Sequence, residues 1–335
     1  VISMSTAAMI ITQRDSYRAS FAALALTYSF LLPYFFNIFS QIIQLLLNSL
    51  TSLERLLQYG KGGIIPEEPP WQLPGESDEG ESWPSKGAIT FEDVSLVYRA
   101  GLPKALDGIS FSLRPGEKVG VVGRSGAGKS SLMVLLLRLN EATVGRILVD
   151  GVDISKVGLG KLRKAIAVVP QEPLLITGSV RRNLDPFGDH TDKELARVLR
   201  EVELDPGLLQ AETIASTLSH GERQLLTLGR TLLWPAKIRV FDEPTSNIDA
   251  ATDRVIQQLL RSAEAFGQST QMTIAHRLQT VIDCDRILVM SGGRLLEAGS
   301  PRELLQRPGS QLAALAGHVG FDLRSLFPEK DLVEL

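Results

Sequence analysis

The sequence predicts an α/β fold, built on a mixed, largely parallel sheet with an antiparallel edge and preceded by a transmembrane α-helix. Three observations predict it. Residues 19–53 contain no charged side chain. A glycine loop, Gly123-Arg124-Ser125-Gly126-Ala127-Gly128-Lys129-Ser130, follows the apolar run Lys118-Val119-Gly120-Val121-Val122 and leads into the helix-like Ser131-Leu132-Met133-Val134-Leu135-Leu136-Leu137. Beyond it, short strand-like runs recur with helix-like segments between them, the alternation that builds parallel sheets.

The N-terminal run comes first. A transmembrane helix needs about 20 mostly apolar residues, so residues 19–53 are long enough to span a bilayer and to continue beyond it. They are not a signal peptide: the run is too long, no basic segment precedes a short apolar region, and no small-residue cleavage site follows. Pro33 lies inside the run and is expected to kink the helix or to free a carbonyl that neighbouring helices re-satisfy. Asn37, Gln41, Gln44 and Asn48 recur at spacings of four, three and four, which keeps them near one helical face. Such a stripe suits a face turned toward other helices or a polar cavity; it equally suits a segment that has left the membrane and is solvated. The shorter apolar run over residues 1–11 reads as the tail of a previous helix, unable to span by itself. The first residue is Val1 rather than Met, so a fragment or a processed product is expected.

At residue 61 the composition changes. Pro66, Pro69, Pro70, Pro74 and Pro84 block regular structure, which predicts a solvated, partly extended linker over residues 61–87. Its acidic cluster, Glu76-Ser77-Asp78-Glu79-Gly80-Glu81, reads as a solvated loop. With 335 residues, 44% of them hydrophobic, the chain has material for one full-sized core and a second unit. A formal net charge of −3 argues against a dedicated nucleic-acid surface, and no nucleic-acid partner is expected. The single cysteine, Cys284, excludes an internal disulfide, fits a reducing compartment, and is expected to be a passive core or surface thiol.

From Ala88 onward, Ile89, Phe91, Val94, Leu96 and Tyr98 read as short strands. Ile109-Ser110-Phe111-Ser112-Leu113 reads as another before the turn Arg114-Pro115-Gly116-Glu117. Later strand-like runs are Ile147-Leu148-Val149, Ile166-Ala167-Val168-Val169, Ile238-Arg239-Val240-Phe241, Met272-Thr273-Ile274-Ala275 and Arg286-Ile287-Leu288-Val289-Met290. The glycine loop fits G-x-x-x-x-G-K-[ST] in its required strand-to-helix context, and so predicts a phosphate-binding loop. Glycines let successive N–H groups curl around a phosphate chain, and the helix N-terminus adds a favourable dipole. Lys129 is placed to reach the β- and γ-phosphates and Ser130 to set its hydroxyl on Mg²⁺. Downstream, an apolar strand ends in Asp242-Glu243. Asp242 suits the Mg²⁺ shell at the strand's carboxyl end, and Glu243 suits orienting and deprotonating an attacking water. Arg239 is an oddity for a strand buried on both faces and is expected at an edge or snorkelling to one.

These motifs, in this order, resemble the ATP-binding cassette (ABC) transporters. Val169-Pro170-Gln171-Glu172-Pro173 looks like the family's Q-loop, and Leu218-Ser219-His220-Gly221-Glu222-Arg223-Gln224 like its signature. Ser246-Asn247-Ile248-Asp249 looks like the D-loop, and Thr273-Ile274-Ala275-His276-Arg277 like the switch-histidine segment. The phrasing is similar to subfamily C, the multidrug-resistance-associated proteins, and to their second nucleotide-binding domain. Asn183-Leu184-Asp185-Pro186-Phe187, Ser52-Leu53-Glu54-Arg55 and the run from Ile274 to Met290 carry that similarity.

The resemblance implies a P-loop ABC cassette with a helical subdomain, and four segments: residues 1–60 as the remnant of a type-1 exporter membrane domain, with its spanning helix at about 19–47, 61–87 as linker, 88–318 as cassette and 319–335 as tail. It implies ATP and Mg²⁺ as cofactors. Tyr98 is the aromatic that stacks on adenine, residues 123–130 with Ser131 bind nucleotide, and Ser130, Gln171 and Asp242 serve the metal. Glu243, His276 and Gln171 are catalytic, while Ser219 and Gly221 donate to a nucleotide held by another cassette. His190, His220 and His318 are read as structural. Implied partners are a second cassette, transmembrane domains, membrane lipid and a small-molecule or conjugate substrate. The implied setting is a multi-pass protein of the plasma or a vacuolar or lysosomal membrane, its cassette in the cytosol. ATP hydrolysis driving export is the expected activity; the alternatives are a regulatory cassette that gates a channel and, with less support, a soluble ABC ATPase.

The signature departs from Leu-Ser-Gly-Gly-Gln at His220 and Glu222, and a carboxylate at Glu222 would oppose an anion if it pointed that way. The stretch from Leu209 to Thr217 looks shorter than its family counterpart, which touches the membrane domain.

Overall fold

The computed structural model describes residues 2–12, 18–60, 68–73, 83–99, 101–209, 217–245, 248–262, 266–267, 269–275 and 277–319. They fall into two compact units, Val1–Pro69 and Pro70–Leu335.

The first unit is a helical pair, α1 (Ile2–Thr12) and α2 (Ala19–Gly60). The apolar run at the start therefore forms its own helix against α2. Helix α2 continues through Pro33 without a break. Proline has no N–H, so the carbonyl of Ser29, four residues earlier, loses its helical donor. The Ser3 hydroxyl of α1 donates to that oxygen at 3.2 Å, and Ser29 is buried where the two helices meet. A freed carbonyl re-satisfied by a neighbouring helix is what lets an apolar helix carry a proline. At 42 residues α2 is about 63 Å long, roughly twice the apolar thickness of a bilayer. Along the polar stripe, Gln41 donates to Asn37 at 3.0 Å.

In the second unit, β1 (Ile89–Leu96) pairs antiparallel with β2 (Leu106–Leu113) and with β4 (Val144–Val149). A two-residue β5 (Val152–Asp153) completes a four-stranded sheet. The central sheet has the order β10-β9-β3-β8-β7-β6. In it β3 (Lys118–Gly123), β6 (Ile166–Val169), β7 (Ile238–Asp242), β8 (Thr270–Ile274) and β9 (Arg286–Ser291) are parallel, and β10 (Arg294–Gly299) is the antiparallel edge. Tyr98 lies just beyond β1 rather than in it. Neither β5 nor β10 reads as a strand in the sequence: one is two residues long, and the other carries Arg294, Glu297 and Gly299 because it lies at an edge.

Helix α3 (Lys129–Leu136) packs between the sheets. Its Leu132, Leu135 and Leu136 share one core with Phe91 of β1 and Val240 of β7. A helical layer of α4 (Leu159–Ala165), α5 (Val180–Leu184), α6 (Asp192–Glu201), α7 (His220–Leu233) and α8 (Ala250–Arg261) lies beyond. Four of these helices build a second core in which Val180, Leu195, Leu226 and Ile256 pack with Phe241 of β7. The last two helices, α9 (Pro301–Gln306) and α10 (Gln311–Val319), bury Leu304 and Leu312 with Val122 and Val289.

Two sequence expectations change here. Strand β7 is flanked by β8 and β6, so Arg239 is not at an edge; it is 5% exposed. Its guanidinium donates to the carbonyls of Ala236, Trp234 and Phe266 and lies 5.3 Å from the Phe266 ring centre. Burial still pushes its pKa down to about 10, which leaves it charged at neutral pH. Part of the expected linker is also held by the second unit. The carbonyls of Pro70 and Trp71 accept the N–H groups of Leu159 and Gly160 at the start of α4 (3.2 and 2.8 Å), and Trp83 Nε1 donates to Val149 at 3.1 Å. Cys284 is half-buried against the third core, and burial raises its thiol pKa to about 12, in keeping with a passive role.

Candidate nucleotide-binding site

Strand alternation assembles the site. Along β7, Ile238, Val240 and Asp242 fall on the face packed toward α3, whereas Phe241 enters the helical core on the other face. Asp242, last on its face, thereby meets the first turn of α3: Ser130 Oγ lies 3.4 Å from Asp242 Oδ1. Parallel pairing sets the next neighbour. Val169 of β6 is opposite Phe241 of β7, so the residues two further along each chain, Gln171 and Glu243, emerge side by side. Gln171 Nε2 donates to Glu243 Oε2 at 3.0 Å. Glu243 has φ 46°, a left-handed conformation that costs a non-glycine residue about 1–3 kcal/mol. Its N–H donates to the Ile274 carbonyl at 2.9 Å, which holds that turn.

The loop between β3 and α3 needs glycine at two kinds of position. Gly126 has φ 76° with open space where a Cβ would stand. Gly128 has φ 95°, and a Cβ there would lie 2.6 Å from the Ala105 carbonyl oxygen. Gly128 is also the N-cap of α3 and offers no side-chain cap, so the helix begins with its N–H groups toward the loop. Lys129 is 5% exposed and its Nζ donates to the carbonyls of Gly123 (2.9 Å) and Arg124 (3.1 Å). Burial lowers its pKa, and the carboxylates of Glu243 and Asp242 pull it back up. Arg124 and Ser125 are exposed on the loop, and Ala127 is buried beneath it. Ser131 is buried in the first turn of α3, its Oγ 2.9 Å from the hydroxyl of Tyr98.

Ser219 and Gly221 form a separate group at the start of α7. Ser219 is the N-cap: its hydroxyl accepts from the N–H of Glu222, and Glu222 Oε2 accepts from the N–H of Ser219 at 2.8 Å. The carboxylate of Glu222 is thus turned back onto its own helix start, as a capping box requires. A Cβ on Gly221 would stand 2.8 Å from Thr252 Oγ1 and 3.3 Å from Asp249 Oδ2, so α7 and α8 begin in close contact. Asp249 caps α8 through the N–H groups of Ala251 and Thr252. Gln224 closes the signature string, which by itself gives the residue no separate role. It is 1% exposed, shares a helical face with Leu228, and donates to the Pro170 carbonyl at 3.3 Å, tying α7 to the segment that carries Gln171. An amide on an apolar face was the available signal. His276, Ser246, Asn247 and residues 210–216 lie outside the described residues, as do the acidic cluster 76–81 and residues 320–335.

A strand, a glycine loop and a helix, with a strand-end carboxylate beside the loop's serine, define a P-loop nucleotide-binding domain. The family model for the ABC transporter matches residues 106–246. The chain belongs to the ABC transporters, and its similar relatives are of subfamily C. ATP-binding cassette sub-family C member 10 of Mus musculus is 45% identical over 269 residues, 78% of this chain and 18% of that relative. ABC transporter C family member 5 of Dictyostelium discoideum is 37% identical over 334 residues, 96% of this chain and 22% of that relative. The chain therefore spans about a fifth of the length of these relatives. Among solved structures, a bacterial Atm1-family ABC exporter with ATP bound aligns with a TM-score of 0.69 at 29% identity, covering 91% of this chain and 53% of that one. The matched domain binds ATP.

Proposed function

We propose that the chain is the C-terminal part of an ATP-driven exporter of subfamily C: the last membrane helix, a linker and the second nucleotide-binding domain. The observation that carries this reading is the convergence of Lys129, Ser130, Asp242, Glu243 and Gln171 around one glycine loop, in a chain whose other unit holds α2. Among the described residues α2 alone is long and apolar enough to cross a membrane. The segment boundaries proposed are residues 1–60, 61–87, 88–318 and 319–335.

The residues fit Mg²⁺ and ATP. Ser130 Oγ and Asp242 Oδ1, 3.4 Å apart, are two hard oxygen donors suited to one small cation. Among the described residues no group of three His, Cys, Asp or Glu side chains forms a metal cage. Mg²⁺ does not need one, since it keeps waters and takes phosphate oxygens. When bound, Mg²⁺ and ATP together supply a charge-neutralised γ-phosphate open to attack by water.

The chain's own residues do the rest. Lys129 and the loop N–H groups neutralise and orient the phosphates. Glu243 accepts the proton of the attacking water, and Gln171, already bonded to Glu243, holds that water and the metal shell in register. His276 is assigned the γ-phosphate, Tyr98 the adenine ring, and Ser219 with Gly221 the nucleotide of a partner cassette. The capping box bears on that last role, because an incoming anion has to displace the Glu222 carboxylate from the Ser219 N–H. An apolar groove of about 430 Å³ next to Gln171, lined by Met133, Leu137, Leu139, Pro170, Leu174 and Trp234, suits the cytosolic end of membrane helices. Membrane lipid, a small-molecule or conjugate substrate, a second cassette and a plasma, vacuolar or lysosomal location complete the proposal.

The test is the Glu243→Gln variant of the full-length protein. ATP hydrolysis is expected to fall at least about 100-fold while ATP binding persists and vanadate inhibition of the residual activity disappears. Turnover equal to the parent protein would show that Glu243 is not the base.

A further inference from the structure

We infer that Ser131 is a positioning residue that latches Tyr98 over the phosphate loop and so sets the preference for a base-bearing ligand. The inference rests on the nucleotide reading of residues 123–130 and deepens it, because motif and resemblance assign Ser131 to the nucleotide itself.

Three observations carry it. A serine inside a helix usually returns its hydroxyl to the carbonyl four residues back. For Ser131 that carbonyl belongs to Ala127, and it accepts the Gly293 N–H at 3.1 Å. The Ser131 hydroxyl instead meets Tyr98 Oη at 2.9 Å, with Ser131 only 7% exposed. Second, the tyrosine is held through its hydroxyl while its ring stays open: Tyr98 is 42% exposed, which leaves ring surface available for stacking beside the first turn of α3. Third, the segment that carries Tyr98 is fastened on both sides. Val97 N donates to Thr143 Oγ1 at 3.0 Å, Ala105 N donates to the Leu96 carbonyl at 2.8 Å, and the Ala105 carbonyl oxygen lies 2.6 Å from where a Cβ of Gly128 would be. The β1–β2 connection and the phosphate loop thus touch at Ser131 and at Gly128. The exposed aromatic is held beside the phosphate loop before any ligand arrives, which reduces the ordering cost of binding.

The experiment compares Tyr98→Phe, Ser131→Ala and the double variant in the whole 335-residue chain in detergent. Titration calorimetry measures Mg²⁺-ATP and, separately, Mg²⁺-tripolyphosphate, which has no base. Each single variant is expected to weaken ATP binding about 3- to 10-fold, the double variant no further, since all three remove one hydrogen bond. In Tyr98→Phe, tripolyphosphate affinity stays within about twofold. Tyr98→Phe keeps the ring and changes an exposed side chain, so it reports even if Ser131→Ala disturbs α3. Equal losses for both ligands in Tyr98→Phe, additive losses in the double variant, or unchanged ATP affinity in both single variants would overturn the latch while leaving the nucleotide reading intact. An unsubstituted chain that binds neither ligand would overturn both.

Discussion

Two helices in this chain begin where a phosphate is expected, and they begin differently. Helix α3 starts at a left-handed glycine with no side-chain cap, a buried lysine beside it and two carboxylates behind. Helix α7 starts at Ser219, whose hydroxyl and N–H are both engaged by Glu222. The first is built around an anion: its N-cap glycine offers no side-chain cap, and its lysine is desolvated. The second is already satisfied, so an anion reaching α7 must compete with the cap for Ser219. Binding strength should therefore reside at α3, and stability at α7.

The largest effect that would test this contrast is at Lys129. Lys129→Ala is expected to lower ATP affinity by more than about 100-fold with no loss of thermal stability, because the residue's burial works against its own charge. Calorimetry and a melting curve on the same sample check both halves, and a large drop in Tm would make Lys129 a structural residue. Next, Ser219→Ala removes an N-cap and should destabilise the second unit by about 1 kcal/mol. Its ATP affinity at residues 123–130 should stay unchanged, and altered binding without destabilisation would reverse the comparison. The smallest effect is expected for Glu222→Gln. Glutamine also closes a capping box, so the urea midpoint should move by less than about 0.5 kcal/mol equivalent. A larger shift would mean that the carboxylate charge itself holds α7.

The core of the fold and of the loop was legible because the information is local. The glycine loop, its strand and its helix are contiguous, and the Asp242-Glu243 pair ends an unmistakable apolar run. Gln171 was legible as part of a motif, but its contact with Glu243 follows from the register between β6 and β7, which no local string contains. Arg239 misled because charge in a strand suggests an edge. The carbonyls that receive it, at 234, 236 and 266, become neighbours only once the sheet forms. Tyr98 and Ser131, 33 residues apart, are likewise joined only by the fold. Prolines predict a linker without helix or strand, yet proline content does not reveal that the Pro70 and Trp71 carbonyls cap α4.

The order of the central sheet bears on biosynthesis. Strand β3, which ends in the phosphate loop, lies between β8 and β9: Val119 is opposite Met272 on one side and Arg286 on the other. A growing chain therefore displays the loop's sequence long before either flanking strand has been made, and the loop's own carbonyl at Ala127 waits for Gly293. The nucleotide site is closed by β9 and the turn after it, so a stop codon in the segment after residue 280 would remove a wall of the site. Such late, long-range pairings fold slowly, and the nascent cassette stands to depend on chaperones in proportion to that delay.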